Sequence, residues 1–160
     1  MSYTNADGLY VLTHADQGLE QDKGTAILPV QRELVIDIPD FRTIKTTFAA
    51  VDIDPLDPVI PANAVILRAH LVMRTAATSG GSATLDVGTY LANGTAVSAT
   101  GIDAAVALTA IDAIGEVVRC DGALITGTVT TGTAPTYIGL KWNTAAYTAG
   151  AGKLVIDYVV

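Results

Sequence analysis

Three closely spaced aspartates, Asp52, Asp54 and Asp57, form the densest group of carboxylates in the chain. Calcium takes several oxygen ligands from a bent loop, so such a group could contribute to a cation site. The segment lacks the glycine and the bidentate glutamate of an EF-hand, and neighbouring prolines stiffen it. Aspartate also forms turns and caps beside proline. We therefore favour turn formation by these aspartates and predict neither a metal site nor a cofactor.

Nucleophilic or acid–base catalysis would depend on few residues, because the chain has 2 histidines and 1 cysteine. His14 lies near the N-terminus and His70 lies in an alternating, strand-like run. Cys120 has no identifiable histidine partner, and no G-x-S-x-G motif is present to orient a serine nucleophile. We predict that Cys120 is a packed or partly exposed free thiol and that the protein is not an enzyme.

A glycan hydrolase is one enzyme class that stays open, since it needs two carboxylates that converge in a groove. Aromatic residues make up only 6% of the chain, so there is little material for stacking sugars. The candidate carboxylates are Asp86, Asp103, Asp121 and Asp157. If they are scattered over the surface, a hydrolase activity is excluded.

The composition is typical of one domain with no attraction to nucleic acid or lipid. A chain of 160 residues can bury a full core. A net charge of −7 disfavours binding to phosphate backbones, and no apolar run approaches the roughly 20 residues that span a membrane. Hydrophobic residues make up 50% and charged residues 16%, which suggests that another protein covers part of the surface. The N-terminus does not resemble a secretory signal, so we predict synthesis in a reducing cytoplasm.

The most regular part of the sequence, residues 65–91, predicts a β-hairpin that turns at Gly80-Gly81. A strand repeats every two residues, so its first half has one apolar and one polar face. The polar face carries the basic stripe Arg68, His70 and Arg74. The apolar face carries Val65, Leu67, Ala69, Leu71 and Met73.

The register of this hairpin follows from its apolar faces, because both strands must bury the same side. The expected neighbours are Asp86 or Thr84 for Arg74, and Tyr90 or Gly88 for His70. Asp86 and Tyr90 then lie on a face exposed to solvent.

Further alternating runs predict short strands at residues 33–38, 44–53, 116–118, 123–130, 136–142 and 153–160. The Ala-rich segment 101–115 breaks this period, and Asp103 can cap a short helix there. Residues 143–152 predict a flexible connection, and residues 1–30 an extended N-terminal arm. We therefore predict an all-β fold for residues 31–160. It is an antiparallel β-sandwich or jelly roll with one short helix and a central C-terminal strand.

Three stretches carry a family likeness, namely residues 60–64 (IPANA), 84–88 (TLDVG) and 153–158 (KLVIDY). With them, residues 50–160 resemble small structural proteins of tailed bacteriophages, in particular the capsid decoration (cement) proteins built on a jelly roll. These stretches are motifs of a fold rather than of an active site.

The resemblance implies a non-enzymatic homotrimer that binds the major capsid protein on the outside of a virion, after synthesis in the host cytoplasm. There it would hold neighbouring capsid subunits together, and residues 1–30 could add a strand to a neighbour. Arg68, His70 and Arg74 become possible subunit-contact residues; they would either meet an acidic face of a neighbour or remain solvated. The alternative is a head- or tail-fibre module that binds host-surface glycans.

Overall fold

The computed structural model describes residues 31–47, 59–125 and 131–160, together with the backbone of two short strands nearer the N-terminus. The chain divides into two compact units, Met1–Val30 and Gln31–Val160. The three aspartates considered as cation ligands, Asp52, Asp54 and Asp57, lie outside the described residues, so their formation of a turn stays a prediction. Parts of the strands that were expected at 44–53 and 123–130 also lie outside the described residues.

The first unit contains an antiparallel pair of two-residue strands, β1 (Tyr3–Thr4) and β2 (Tyr10–Val11). The extended course of residues 1–30 stays a prediction.

Antiparallel strands dominate the second unit. Their bounds are β3 Gln31–Ile38, β4 Val59–Ile60, β5 Val65–Ser79, β6 Thr84–Tyr90, β7 Ala96–Ala107, β8 Val117–Arg119, β9 Thr136–Asn143 and β10 Tyr147–Val159. Two single-turn 3-10 helices, Phe41–Thr43 and Leu108–Ala110, also lie in this unit. Within the ranges described, no helix is long and apolar enough to cross a membrane.

The strands form two four-stranded sheets, a first sheet in the order β3-β10-β5-β8 and a second sheet in the order β4-β9-β6-β7. The pairing is nested, since β3 pairs with β10, β4 with β9, β5 with β8 and β6 with β7. Strands β3 to β10 thus follow the pairing of one long hairpin whose two arms are divided between two sheets. Its tip is the Asn93-Gly94 turn, where Gly94 has a φ of 81° and the Leu91 amide donates to the Thr95 carbonyl at 2.8 Å.

This architecture confirms the prediction of an all-β antiparallel sandwich. The apolar faces of both sheets supply one core cluster, whose fully buried members include Leu71, Leu85, Ile102, Leu154 and Ile156. β10 lies between β3 and β5, so the C-terminal strand is central, as its apolar alternation predicts.

The predicted hairpin at residues 65–91 is wrong. β5 pairs with β10 and β8 in the first sheet, whereas β6 pairs with β7 and β9 in the second. A tight two-residue hairpin turn needs residues with positive φ, and neither Gly80 nor Gly81 has one. The small residues between β5 and β6 instead carry the chain from one sheet to the other, so neither Arg74 nor His70 pairs across a hairpin with β6.

The predicted helix at 101–115 is also wrong. Residues 96–107 form β7, and only the 3-10 turn Leu108–Ala110 follows it. Helix propensity is a weak preference that tertiary packing overrides. Here Ile102 and Val106 are buried as parts of a strand, and Asp103 pairs with Val87 instead of capping a helix.

Two details of the strands differ from the sequence-based prediction. Arg68 pairs with Asp157 but Ile66 pairs with Tyr158, so Leu67 is an extra residue in a β-bulge. Ile66 is therefore buried and Leu67 is 39% exposed, the reverse of the prediction. The connection expected at 143–152 is short, because β10 begins at Tyr147.

Candidate functional site

One side of the first sheet faces away from the core and forms a nearly continuous surface, which we call the outer face. Leu154 and Ile156 of β10 point inward and are fully buried, so their neighbours along the strand point outward. Cross-strand pairing aligns the outward residues in rows. The rows are Asp37, Lys153, Val72 and Val117; then Val35, Val155, His70 and Arg119; then Glu33, Asp157 and Arg68.

Four valines make an apolar band across the outer face. Val117 and Val72 are paired in one row, and Val155 and Val35 are paired in the next, so the band crosses all four strands. Val117 is 60% exposed and Val35 is 49% exposed. Exposed apolar area that is rimmed by charged groups is typical of a protein contact surface.

Ion pairs tie the charged residues of the outer face together. The Arg68 Nε donates to Asp157 Oδ2, and Arg74 Nη2 lies 2.6 Å from Asp37 Oδ1. Asp157 is buried, and its hydrogen bond and charge raise the pKa of the Arg68 guanidinium. Arg74 and Asp37 are both well exposed, so their pair contributes little to stability.

The outer face differs in charge from the rest of the molecule. Its basic side chains, Arg68, Arg74, Arg119 and Lys153, slightly outnumber its acidic ones, Glu33, Asp37 and Asp157, on a chain with a net charge of −7. All three predicted contact residues belong to this region. His70 is half-buried between Val155 and Arg119, while Arg68 and Arg74 hold carboxylates of their own chain.

A second polar cluster lies in the second sheet, and the sequence pattern does not predict it. Asp86 was expected on a solvated face but is only 6% exposed. Its Oδ2 accepts from Asn143 Nδ2 at 2.9 Å and lies 3.2 Å from Lys141 Nζ. Its Oδ1 accepts from the Ala105 amide at 2.8 Å. Burial alone would raise the pKa of Asp86, but these donors outweigh it and hold the pKa below the ordinary value.

Strand β7 covers the side of β6 that carries Asp86. The register passes from Val87↔Asp103 to Thr89↔Ser98, so several β7 residues bulge over Gly88. A Cβ on Gly88 would lie 2.3 Å from the Ala99 carbonyl oxygen. Asp86 and Tyr90, on the same side of β6, are therefore both buried.

Asp103 and Cys120 form an adjoining buried pair. Burial raises the pKa of Asp103, although the Ala104 amide and the Cys120 thiol donate to it. Burial, together with Asp103 and Asp121, raises the pKa of the Cys120 thiol to about 12. Cys120 is thus a buried, protonated free thiol, as the sequence predicts, and is unsuited to act as a nucleophile.

The structure does not bring the four candidate carboxylates, Asp86, Asp103, Asp121 and Asp157, together in a groove. Asp86 and Asp103 are neighbours, but both are buried, and the carboxylate of Asp86 is already engaged by Lys141, Asn143 and the Ala105 amide. Asp157 lies in the other sheet, and Asp121 is exposed. Within the described ranges, no three acidic, histidine or cysteine residues are grouped closely enough to hold a metal ion.

No protein family model and no curated protein matches the chain. Two solved structures are similar. A chain in the capsid of Ralstonia phage GP4 has a TM-score of 0.51 and 21% identity, covering 89% of this chain and 92% of that chain. A chain in the acid-stable capsid of Helicobacter pylori bacteriophage KHP30 has a TM-score of 0.50 and 11% identity, covering 82% and 94%. The shared feature is the fold, over most of each chain.

Proposed function

We propose that this protein is a non-enzymatic structural protein of a bacteriophage virion that binds the outside of the capsid and stabilises it. The outer face of the first sheet carries this proposal, because an exposed valine band with a charged rim is typical of a surface that contacts another protein. The similarity of fold to chains in two phage capsids supports it. The proposal includes assembly as a homotrimer.

The proposed fold is a jelly roll. Two four-stranded sheets in the orders β3-β10-β5-β8 and β4-β9-β6-β7, with nested antiparallel pairs, correspond to a long hairpin rolled into a sandwich. This topology supports the resemblance of residues 50–160 to decoration proteins of the jelly-roll type.

The outer face fits the surface of a capsid in two ways. Valine side chains gain free energy when a partner removes them from water, at about 25 cal/mol per Å² of apolar area. The charged residues around them, including Arg68, His70 and Arg74, set orientation and partner choice more than affinity. Many identical modest contacts on a closed lattice then add up to high occupancy.

The test has two parts. The first is co-sedimentation of the protein with capsids of the virus that encodes it, and the second is a measurement of the protein's mass in solution. We expect saturable binding to capsids and a mass three times the 16.5 kDa of one chain. Failure to co-sediment would contradict the capsid role, and a monomer would contradict the trimer. Binding to a glycan array without capsid binding would favour the alternative, a fibre module.

A further inference from the structure

The first sheet ends at β3, and this edge differs from every other edge of the described sheets. β3 pairs with β10 over all eight residues, from Gln31↔Val159 to Ile38↔Gly152, without a register shift. The opposite edge strand, β8, has 3 residues, and β4 has 2. β7 is the remaining edge of the four-stranded sheets, and bulges break its register. The strands of the two-stranded sheet, β1 and β2, have 2 residues each. A long, regular edge therefore occurs once in the part of the chain that the structure describes.

β3 lacks several of the features that keep edge strands from pairing. Natural edges are blunted by proline, by charged residues (lysine above all), by bulges or by shortness. β3 carries the charged residues Arg32, Glu33 and Asp37, but it is long and free of bulges. The sequence of β3, QRELVIDI, contains neither proline nor lysine. Among the described residues, no backbone hydrogen bond engages its outer edge. Val35, in the middle of the strand, is 49% exposed.

The charges of β3 indicate what can pair with it. Glu33 and Asp37 flank Val35 on the outer face. Asp37 uses Oδ1 for Arg74. Glu33 lies close enough to Arg68 to help raise the pKa of that guanidinium, but it makes no salt bridge with a residue in the described ranges. An antiparallel pair of two copies centred on Val35 would place Glu33 opposite the Asp37 of the second copy, and like charges directly opposite are destabilising. Residues 1–30 are themselves acidic, with one lysine against Asp7, Asp16, Glu20 and Asp22.

We propose that the outer edge of β3 accepts an extended, basic segment of another protein as an additional strand of the first sheet. The segment carries lysine or arginine at two positions separated by three residues, so that they meet Glu33 and Asp37. An apolar residue midway between them packs against Val35. Backbone hydrogen bonds along β3 provide affinity, and the two carboxylates provide the choice of partner.

The test uses the full chain and a synthetic peptide, acetyl-Thr-Lys-Val-Ile-Val-Lys-Thr-Thr-amide, with a control peptide in which glutamate replaces both lysines. No capsid is needed, so the outcome is independent of the proposed function. We expect the lysine peptide to bind at least tenfold more tightly than the glutamate peptide. Amide exchange followed by NMR should slow at the alternate β3 amides that point away from β10.

Charge reversal gives the matched control. The double variant Glu33→Lys/Asp37→Lys should prefer the glutamate peptide, whereas Asp112→Lys, at an exposed position in a loop, should keep the original preference. Absence of binding, equal binding of both peptides, or protection confined to other strands would overturn the proposal. Protection of the outer β3 amides before peptide is added would also overturn it, since the chain itself or a second copy would then cover the edge.

Discussion

The carboxylate of Asp86 holds the backbone of Ala105 through a 2.8 Å hydrogen bond between residues 19 positions apart in the chain. Ala105 has a φ of 54°, in the left-handed region that residues with a Cβ seldom adopt. The same carboxylate contacts Lys141 and Asn143 of β9. The buried side chain of Asp86, on β6, therefore fixes the irregular part of β7 and links it to both β6 and β9.

Removal of this carboxylate should destabilise the fold. Asp86→Ala leaves the Ala105 amide and the Asn143 side chain without their acceptor, and leaves Lys141 without its counter-ion. We expect a loss of about 3 kcal/mol in the free energy of unfolding, as for one partner of a buried charge pair. Urea titration followed by circular dichroism measures it. Asp121→Ala removes an exposed carboxylate nearby and should change stability by less than about 0.5 kcal/mol; similar losses in both variants would contradict the role of Asp86.

Stability should pass through a maximum at mildly acidic pH. Folding raises the pKa of Asp103, so its protonation favours the folded state, and stability is gained as pH falls from neutral through that raised pKa. Folding lowers the pKa of Asp86, so its contribution is present above the ordinary carboxyl value and is lost as pH falls through the lowered pKa. Urea midpoints measured at intervals between neutral pH and about pH 3 should rise and then fall.

Asp103→Asn separates the two effects. The amide cannot titrate, so this variant should lose the rise between neutral and mildly acidic pH and keep the fall at lower pH. A rise of the same size in the variant would show that Asp103 is not its source.

Gly88, the single glycine of β6, should not tolerate a larger side chain. Gly88→Ala would bring a Cβ to 2.3 Å from the Ala99 carbonyl oxygen, which belongs to backbone and cannot rotate away. We expect a loss of about 1–3 kcal/mol, the usual cost of overpacking. Gly80→Ala is the control, because a Cβ there has no atom within 4 Å. Equal thermal midpoints for the two variants would contradict the described cover of β7 over β6.

The two arginine pairs of the outer face should differ in their effect on stability. Arg68→Ala leaves the buried carboxylate of Asp157 without its donor, whereas Arg74→Ala releases the exposed Asp37 to water. An unpaired buried group loses its solvation without compensation, so Arg68→Ala should lower the thermal midpoint more than Arg74→Ala. The reverse order would indicate that Asp157 is satisfied in another way.

The alternation of apolar and polar residues predicts which segments form strands better than it predicts which strands pair with one another. The apolar period in Leu71 and Met73, or in Leu154 and Ile156, marks a buried face because one side of each strand lies on the core. It does not state which sheet a strand joins. The Gly80-Gly81 pair fits a hairpin turn and a crossing between sheets equally well, and it is the strand pairing and the φ angles of the structure that distinguish the two.

The outer face and the buried cluster illustrate the same limit. Arg68, His70 and Arg74 are visible as a basic stripe, but their neighbours Asp157 and Asp37 come from distant strands. Asp86 looks solvent-facing because the bulge of β7 that covers it has no local sequence signal. The Ala-rich composition of 101–115 favours a helix, and pairing with β6 makes residues 101–107 part of a strand instead.

Capsid occupancy of variants in the valine band tests the proposed function most directly. The double variant Val35→Asp/Val117→Asp places charges on the two most exposed valines of the outer face. Val97→Asp is the control, because Val97 is 42% exposed on β7 of the second sheet. With folding checked by circular dichroism, we predict that the double variant binds capsids at least tenfold more weakly than the unaltered protein while Val97→Asp binds normally. Full occupancy by the double variant would contradict the outer face as the capsid contact.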